Sequence, residues 1–131
     1  AVTLEHPIPG LELDTTLARI SGDLLVDVMQ RVPLGQIIPS EQDHAAATFC
    51  GKITKDMSEL HIDPVHLPTG EAALAIYRKI CAFDSWPETF FMHNGKRIKI
   101  KSARLTETGV LEILRIVPEG KSEISWEQFQ F

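Results

Sequence analysis

Leu17, Ile20, Leu24, Leu25, Val28 and Val32 recur at three- and four-residue spacing. That spacing gathers them on one face of a helix, whose side chains repeat about every 3.6 residues. Asp14, Thr15 and Thr16 stand just before them and offer oxygens to the unpaired N–H groups of a first turn. Pro33 and Gly35 end the run. The pattern predicts an amphipathic helix over Thr15–Val32. A second stripe, Ala73, Ile76, Tyr77 and Ile80, follows Thr69 as cap, with Glu71 where the helix dipole favours a carboxylate. Phe83–Pro87 stops it.

From Thr89 onward the period changes to two, which predicts strands over Thr89–His93, Arg97–Leu105 and Val110–Val117. Asn94-Gly95 joins the first two, because this pair accepts the positive φ angles of a tight hairpin turn. Glu119-Gly120 makes a further turn, and Ser125-Trp126-Glu127-Gln128 fits a capping box opening a terminal helical turn. Upstream the signals are weaker. Ala1–Leu13 reads as extended, interrupted by Pro7 and Pro9. Residues 36–47 have no period, Thr48–Ile53 alternates like a short strand, and Lys55–Pro68 is irregular.

The strand after Asn94-Gly95 carries the clearest candidate chemistry. Ile98 and Ile100 alternate with Arg97, Lys99 and Lys101, so the isoleucines face a core and the cations share the outer side. Such a row suits phosphates. Lys96 and Arg104 stand at its ends, and Lys52 and Lys55 are expected to extend it. Binding there would be weakly sequence-specific and salt-dependent. A plain alternative is a solvated strand whose lysines prevent edge-to-edge pairing, and charge alone does not choose between the two. Phe83, Trp86, Phe90 and Phe91 suit either a base-stacking platform or a core. Core is the commoner use, with Trp86-Pro87 packing the helix end onto the sheet and Trp126 and Phe129 as a lid.

Composition narrows this. With 131 residues, 44% apolar and 24% charged, the chain reads as one globular domain, or one domain with an appendage. A net charge of −5 excludes a general nucleic-acid coat but leaves room for a local basic face. Cys50 and Cys81 are two isolated thiols, read as reduced and buried, in an intracellular protein. No signal peptide and no long apolar run is seen, so no membrane span is expected. The start at Ala1 rather than Met suggests a cleaved product or a piece of something longer. His61, Asp63 and His66 sit in a proline-marked loop and read as solvated groups rather than a zinc site. Nucleophile-elbow, metalloprotease and phosphate-loop motifs do not occur, so neither catalytic nor metal-binding residues are assigned.

Several segments, taken in order, resemble the C-terminal half of the methionyl-tRNA formyltransferase family. They are Leu13-Asp14-Thr15 with its helix; Gln42, Ala47-Thr48-Phe49, Lys52-Ile53-Thr54-Lys55 and Ile62-Asp63; Ile80-Cys81-Ala82-Phe83 with Trp86-Pro87; Gly95-Lys96-Arg97-Ile98-Lys99-Ile100; and Pro118-Glu119-Gly120-Lys121, Ser125-Trp126-Glu127 and Phe129. Departures also occur. Cys81 replaces a usual arginine, Ser85 and Glu88 interrupt the usual Pro-Trp-Pro-Gly, and Pro64 stands where tryptophan is common. The stretch from Ala103 to Val110 is short where the family adds barrel strands.

The resemblance implies an α+β fold: a helical linker followed by a small, reduced or open OB-like β-barrel with one packing helix. It divides the chain into residues 1–46, the tail of a catalytic domain with linker, and residues 47–131, the barrel-like domain. It implies a cytoplasmic, non-catalytic part that holds initiator Met-tRNA through Lys52, Lys55, Lys96, Arg97, Lys99, Lys101 and Arg104. The family's Asn, His and Asp for formyl transfer, and its 10-formyltetrahydrofolate, belong to the N-terminal catalytic domain. The single asparagine here, Asn94, is already accounted for by the hairpin turn, so this chain alone is expected to be inactive and to hold no cofactor. The Thr15–Val32 helix, without that domain, is expected to self-associate or to dock on the barrel. Two rivals stand: a related formyltransferase acting on sugar nucleotides or formyl-folate, and a structural module with no ligand.

Overall fold

The computed structural model describes residue 3 and residues 6–129, and the chain divides into two compact units. One is Glu12–Ile53; the other joins Ala1–Leu11 with Thr54–Phe131. Helix α1, Gly10–Arg31, supplies most of the first of these and ends in a 3-10 turn, Val32–Leu34, closed by Gly35 at φ 65°. The helix starts at Gly10, ahead of the expected cap at Asp14–Thr16. Leu11, Glu12 and Leu13 are good helix formers and Pro9 suits the approach to a first turn, so nothing makes the chain wait for Asp14. Of the segment read as extended, residues 1, 2, 4 and 5 lie outside the described residues, and Gly10–Leu13 is helical.

The expected strand at Thr48–Ile53 is absent. Its alternation has no neighbouring ladder to join, and a strand is stable through its partner's hydrogen bonds rather than its own pattern. Phe49 and Cys50 are accordingly exposed, which corrects the expectation of a buried Cys50 thiol. None of the described residues of α1 is buried; Leu24 is 61% exposed and Met29 65%. Among the described residues no helix is long and apolar enough to cross a membrane.

The other unit is an open, antiparallel four-stranded sheet with one packing helix. Helix α2 is Gly70–Ala82, and the strands are β1, Phe90–His93; β2, Lys96–Leu105; β3, Leu111–Pro118; and β4, Ile124–Ser125, in the order β1-β2-β3-β4. Thr69 occupies the N-cap position with extended backbone but makes no side-chain cap bond. Asn94 at φ 50° and Gly95 at φ 73° form the predicted hairpin, with His93 opposite Lys96. Thr106–Gly109 closes the β2–β3 hairpin through Thr106 N–H to Val110 O at 2.9 Å, so the short stretch there leaves no room for added strands.

The core lies between α2 and the inner face of the sheet. Ala73 and Ile80 of α2 meet Phe91, Ile98, Ile100, Leu111, Ile113 and Ile116, with Leu60 beside them. A bulge sets which β2 residues point inward. Ile100 pairs with Ile116, but Ser102 pairs with Arg115 and Ala103 with Ile113. The extra residue shifts the inward phase from Ile98 and Ile100 to Ala103 and Leu105, which pack against the core. Arg104 therefore returns to the outer side. The capping box at Ser125–Gln128 forms as expected, and Trp126 stacks on Phe129 at 6.1 Å and meets Phe91 edge-on.

Candidate nucleic-acid interface

Ile98 and Ile100 are 2% and 4% exposed, so the alternation of β2 holds and Arg97, Lys99 and Lys101 share its outer side. Each cation has a distinct setting. The Arg97 guanidinium lies over the Phe90 ring, 3.8 Å from its centroid, and its backbone N–H donates to Glu119 Oε2 at 3.0 Å. Its Nε is buried with no hydrogen-bond partner among the described residues. Arg97 thus covers a buried aromatic ring as well as standing in the cationic row. Lys99 Nζ donates to Glu88 Oε2 at 2.6 Å, and Lys101 Nζ donates to Glu88 Oε1. Arg104 Nε donates to Glu112 Oε2 at 2.5 Å, its partner directly across the ladder.

The cationic row is not unopposed. Lys99, Lys101 and Arg104 stand on the predicted side but have carboxylates against them. Lys96, at the hairpin, is exposed and carries no ion pair among the described residues. Lys52 belongs to the Glu12–Ile53 unit, and Lys55 opens the 3-10 turn Lys55–Ser58, its carbonyl accepting from the Ser58 hydroxyl at 2.7 Å. The strand therefore gathers Lys96, Arg97, Lys99, Lys101 and Arg104, while the linker lysines are set elsewhere along the chain.

Glu88 is the residue that sequence reading missed. It follows Trp86-Pro87 in the turn after α2 and adopts φ 63°, a left-handed conformation unusual for a side chain with a Cβ. Its side chain is only 18% exposed. Burial alone pushes its carboxyl up, but hydrogen bonds and attraction from Lys101 and Lys99 outweigh that and hold it below the ordinary value. The signal available in the sequence is its place directly after Trp86-Pro87.

The aromatic residues divide. Phe83, Phe90 and Phe91 are buried, so they are not a platform. Trp86 is 54% exposed and does not seal the helix end, contrary to expectation. The chain turns through Trp86-Pro87 with an indole left on the surface, two residues before Glu88. Two open clefts flank the row. One, of about 240 Å³, is lined by Arg97, Lys99, Val117, Pro118, Glu119 and Gly120. The other, about 280 Å³, includes Lys96, His93, Lys121 and Phe129.

Other candidate groups are spread apart. His66 Nδ1 lies 2.9 Å from Asp63 Oδ2, and His61 Nδ1 is 4.0 Å from Glu59; both imidazoles are exposed. No group of three or more His, Cys, Asp or Glu among the described residues is placed to hold a metal ion. Cys81 is buried, and burial pushes its thiol up despite a hydrogen bond with Tyr77. Asn94 is held in the hairpin, its Nδ2 3.0 Å from His93 Nε2.

Residues 70–108, spanning α2 through β2, match the family described as formyl transferase, C-terminal domain. The chain is 30% identical over 138 residues to a methionyl-tRNA formyltransferase of Treponema pallidum, covering 86% of this chain and 41% of that protein. It is 34% identical to one from Dehalococcoides mccartyi, covering 93% of this chain and 46% of that protein, and 28% identical to one from Carboxydothermus hydrogenoformans, covering 98% and 47%. The chain thus spans less than half the length of these relatives.

Proposed function

We propose, from the premise that this chain carries the C-terminal domain of the formyl transferase family, that it is the tRNA-holding part of a methionyl-tRNA formyltransferase working in the cytoplasm. The observation that carries this reading is the outer side of β2, where Lys96, Arg97, Lys99, Lys101 and Arg104 stand over a strand whose isoleucines are buried, even though Lys99 and Lys101 face Glu88 and Arg104 faces Glu112. Cations spaced along a strand track a phosphate backbone without reading bases. The exposed Trp86 offers a face for an unpaired base, as aromatic side chains do in single-stranded nucleic-acid grooves.

The role is positioning. Gripping the acceptor arm of initiator tRNA would hold the methionyl amine near a transfer centre, and such proximity supplies much of a rate gain. The resemblance would put that centre and 10-formyltetrahydrofolate in an N-terminal catalytic domain rather than among these residues. The apolar side of α1 would then be the seat of the catalytic domain, with a second copy of this chain as the other occupant.

The test is a titration of unacylated initiator tRNA against the chain at low and moderate salt, beside the Arg97→Ala, Lys99→Ala, Lys101→Ala triple variant. The expected result is binding by the wild type that weakens as salt rises and is reduced in the variant. Absence of binding by both, at both salts, would leave a structural module.

A further inference from the structure

We infer that Lys99 and Lys101 form a phosphate subsite whose occupant in the free chain is the Glu88 carboxylate, so that an incoming phosphate must displace Glu88 to enter. This rests on the tRNA reading above and deepens it.

Three observations meet at this point. The two ammonium groups converge on one anion: Lys99 donates to Oε2 and Lys101 to Oε1. A carboxylate accepting one charged donor at each oxygen has the recognition chemistry of a phosphate bound through two oxygens. Second, Glu88 is held there against two opposing effects. Its φ of 63° costs a residue that has a Cβ, and its largely buried side chain disfavours the charged form. A left-handed φ at a residue with a Cβ points to a task for the side chain. Third, the surroundings suit a nucleic acid: Lys99 also lines the cleft shared with Arg97, and the exposed Trp86 lies two residues along the chain.

The consequence is quantitative. In the wild type, phosphate and Glu88 exchange at the same two lysines, and the net gain of cation–phosphate contacts is small. Removing the carboxylate adds two contacts and steepens the salt dependence of binding by up to about 1.4 to 1.8 in log–log slope.

The experiment titrates inorganic tripolyphosphate, and in a separate arm unacylated initiator tRNA, against the wild type, Glu88→Gly, Glu88→Gln, and Glu88→Gly combined with Lys99→Ala and Lys101→Ala. Glycine accepts the positive φ, and glutamine keeps the bulk without the charge. Both Glu88 variants are expected to bind tripolyphosphate about tenfold more tightly than the wild type, a gain the added lysine changes abolish. Equal affinity in wild type and Glu88 variants, or a gain that survives loss of the lysines, overturns the inference. Should the variants fail to fold, the wild type decides: saturating tripolyphosphate must shift the Glu88 carboxyl carbon resonance, and an unmoved resonance overturns the inference. A tripolyphosphate gain without tRNA binding sustains the subsite and defeats the tRNA reading. tRNA binding that is the same with and without Glu88, together with unchanged tripolyphosphate affinity, does the reverse.

Discussion

The Arg97 guanidinium sits 3.8 Å from the centroid of the Phe90 ring, while the β1–β2 ladder sets Phe90 directly opposite Lys99. One cation of the row therefore closes the sheet's outer side over an aromatic ring that is 9% exposed. Arg97→Ala should uncover that ring and cost about 1 kcal/mol or somewhat more, and Arg97→Lys should recover part of the loss. Urea midpoints of the three proteins check this. Equal midpoints for Arg97→Ala and the wild type would show that the stacked pair contributes nothing.

Glu88 sets a pH dependence. Its folded pKa is held below the ordinary 4.5 by Lys101 and Lys99, after burial has pushed the other way. A carboxyl with a depressed folded pKa stabilises the fold above its unfolded pKa, and that contribution is lost as pH falls through the folded value. The sheet unit should thus lose stability below about pH 4.5 more steeply in the wild type than in Glu88→Gln. Thermal midpoints across that range measure the difference, and parallel curves would remove Glu88 from the account.

Two glycines should respond in opposite directions to alanine. Gly95 holds φ 73° in the β1–β2 turn, where a Cβ is strained, so Gly95→Ala should destabilise by about 1–2 kcal/mol. Gly22 lies inside α1, and an added Cβ there would meet nothing within 4 Å, so Gly22→Ala should raise helix stability by about 1 kcal/mol. Circular dichroism melts of the two variants compare them directly.

The core and the linker helix should differ just as sharply. Phe91 is 0% exposed and touches Trp126 edge-on at 6.1 Å, so Phe91→Ala should cost about 3–5 kcal/mol and loosen the terminal turn. Leu24 is 61% exposed, so Leu24→Ala should change stability by no more than about 0.5 kcal/mol. Chemical denaturation followed by Trp126 and Trp86 fluorescence reports both. A large loss on truncating Leu24 would mean that α1 is covered in solution.

Where the sequence read correctly, neighbouring residues carried the information. The Asn94-Gly95 turn, the stripe of α2 and the alternation of β2 each depend on residues a few positions apart. Where it read wrongly, a partner was missing from the local view. Thr48–Ile53 alternates without a ladder to join, and Trp86 looks like core until the turn leaves it outside.

By itself, the chain's order of residues determined that β2 would bury Ile98 and Ile100 and turn its cations to the other side, because a pleated strand has a fixed period of two. Only the tertiary structure decided which of those cations meet a carboxylate. Glu88 reaches Lys99 and Lys101 across 11 and 13 positions of sequence, brought there by the turn after α2. Electrostatic attraction falls with distance in space, and spacing along the chain does not fix that distance.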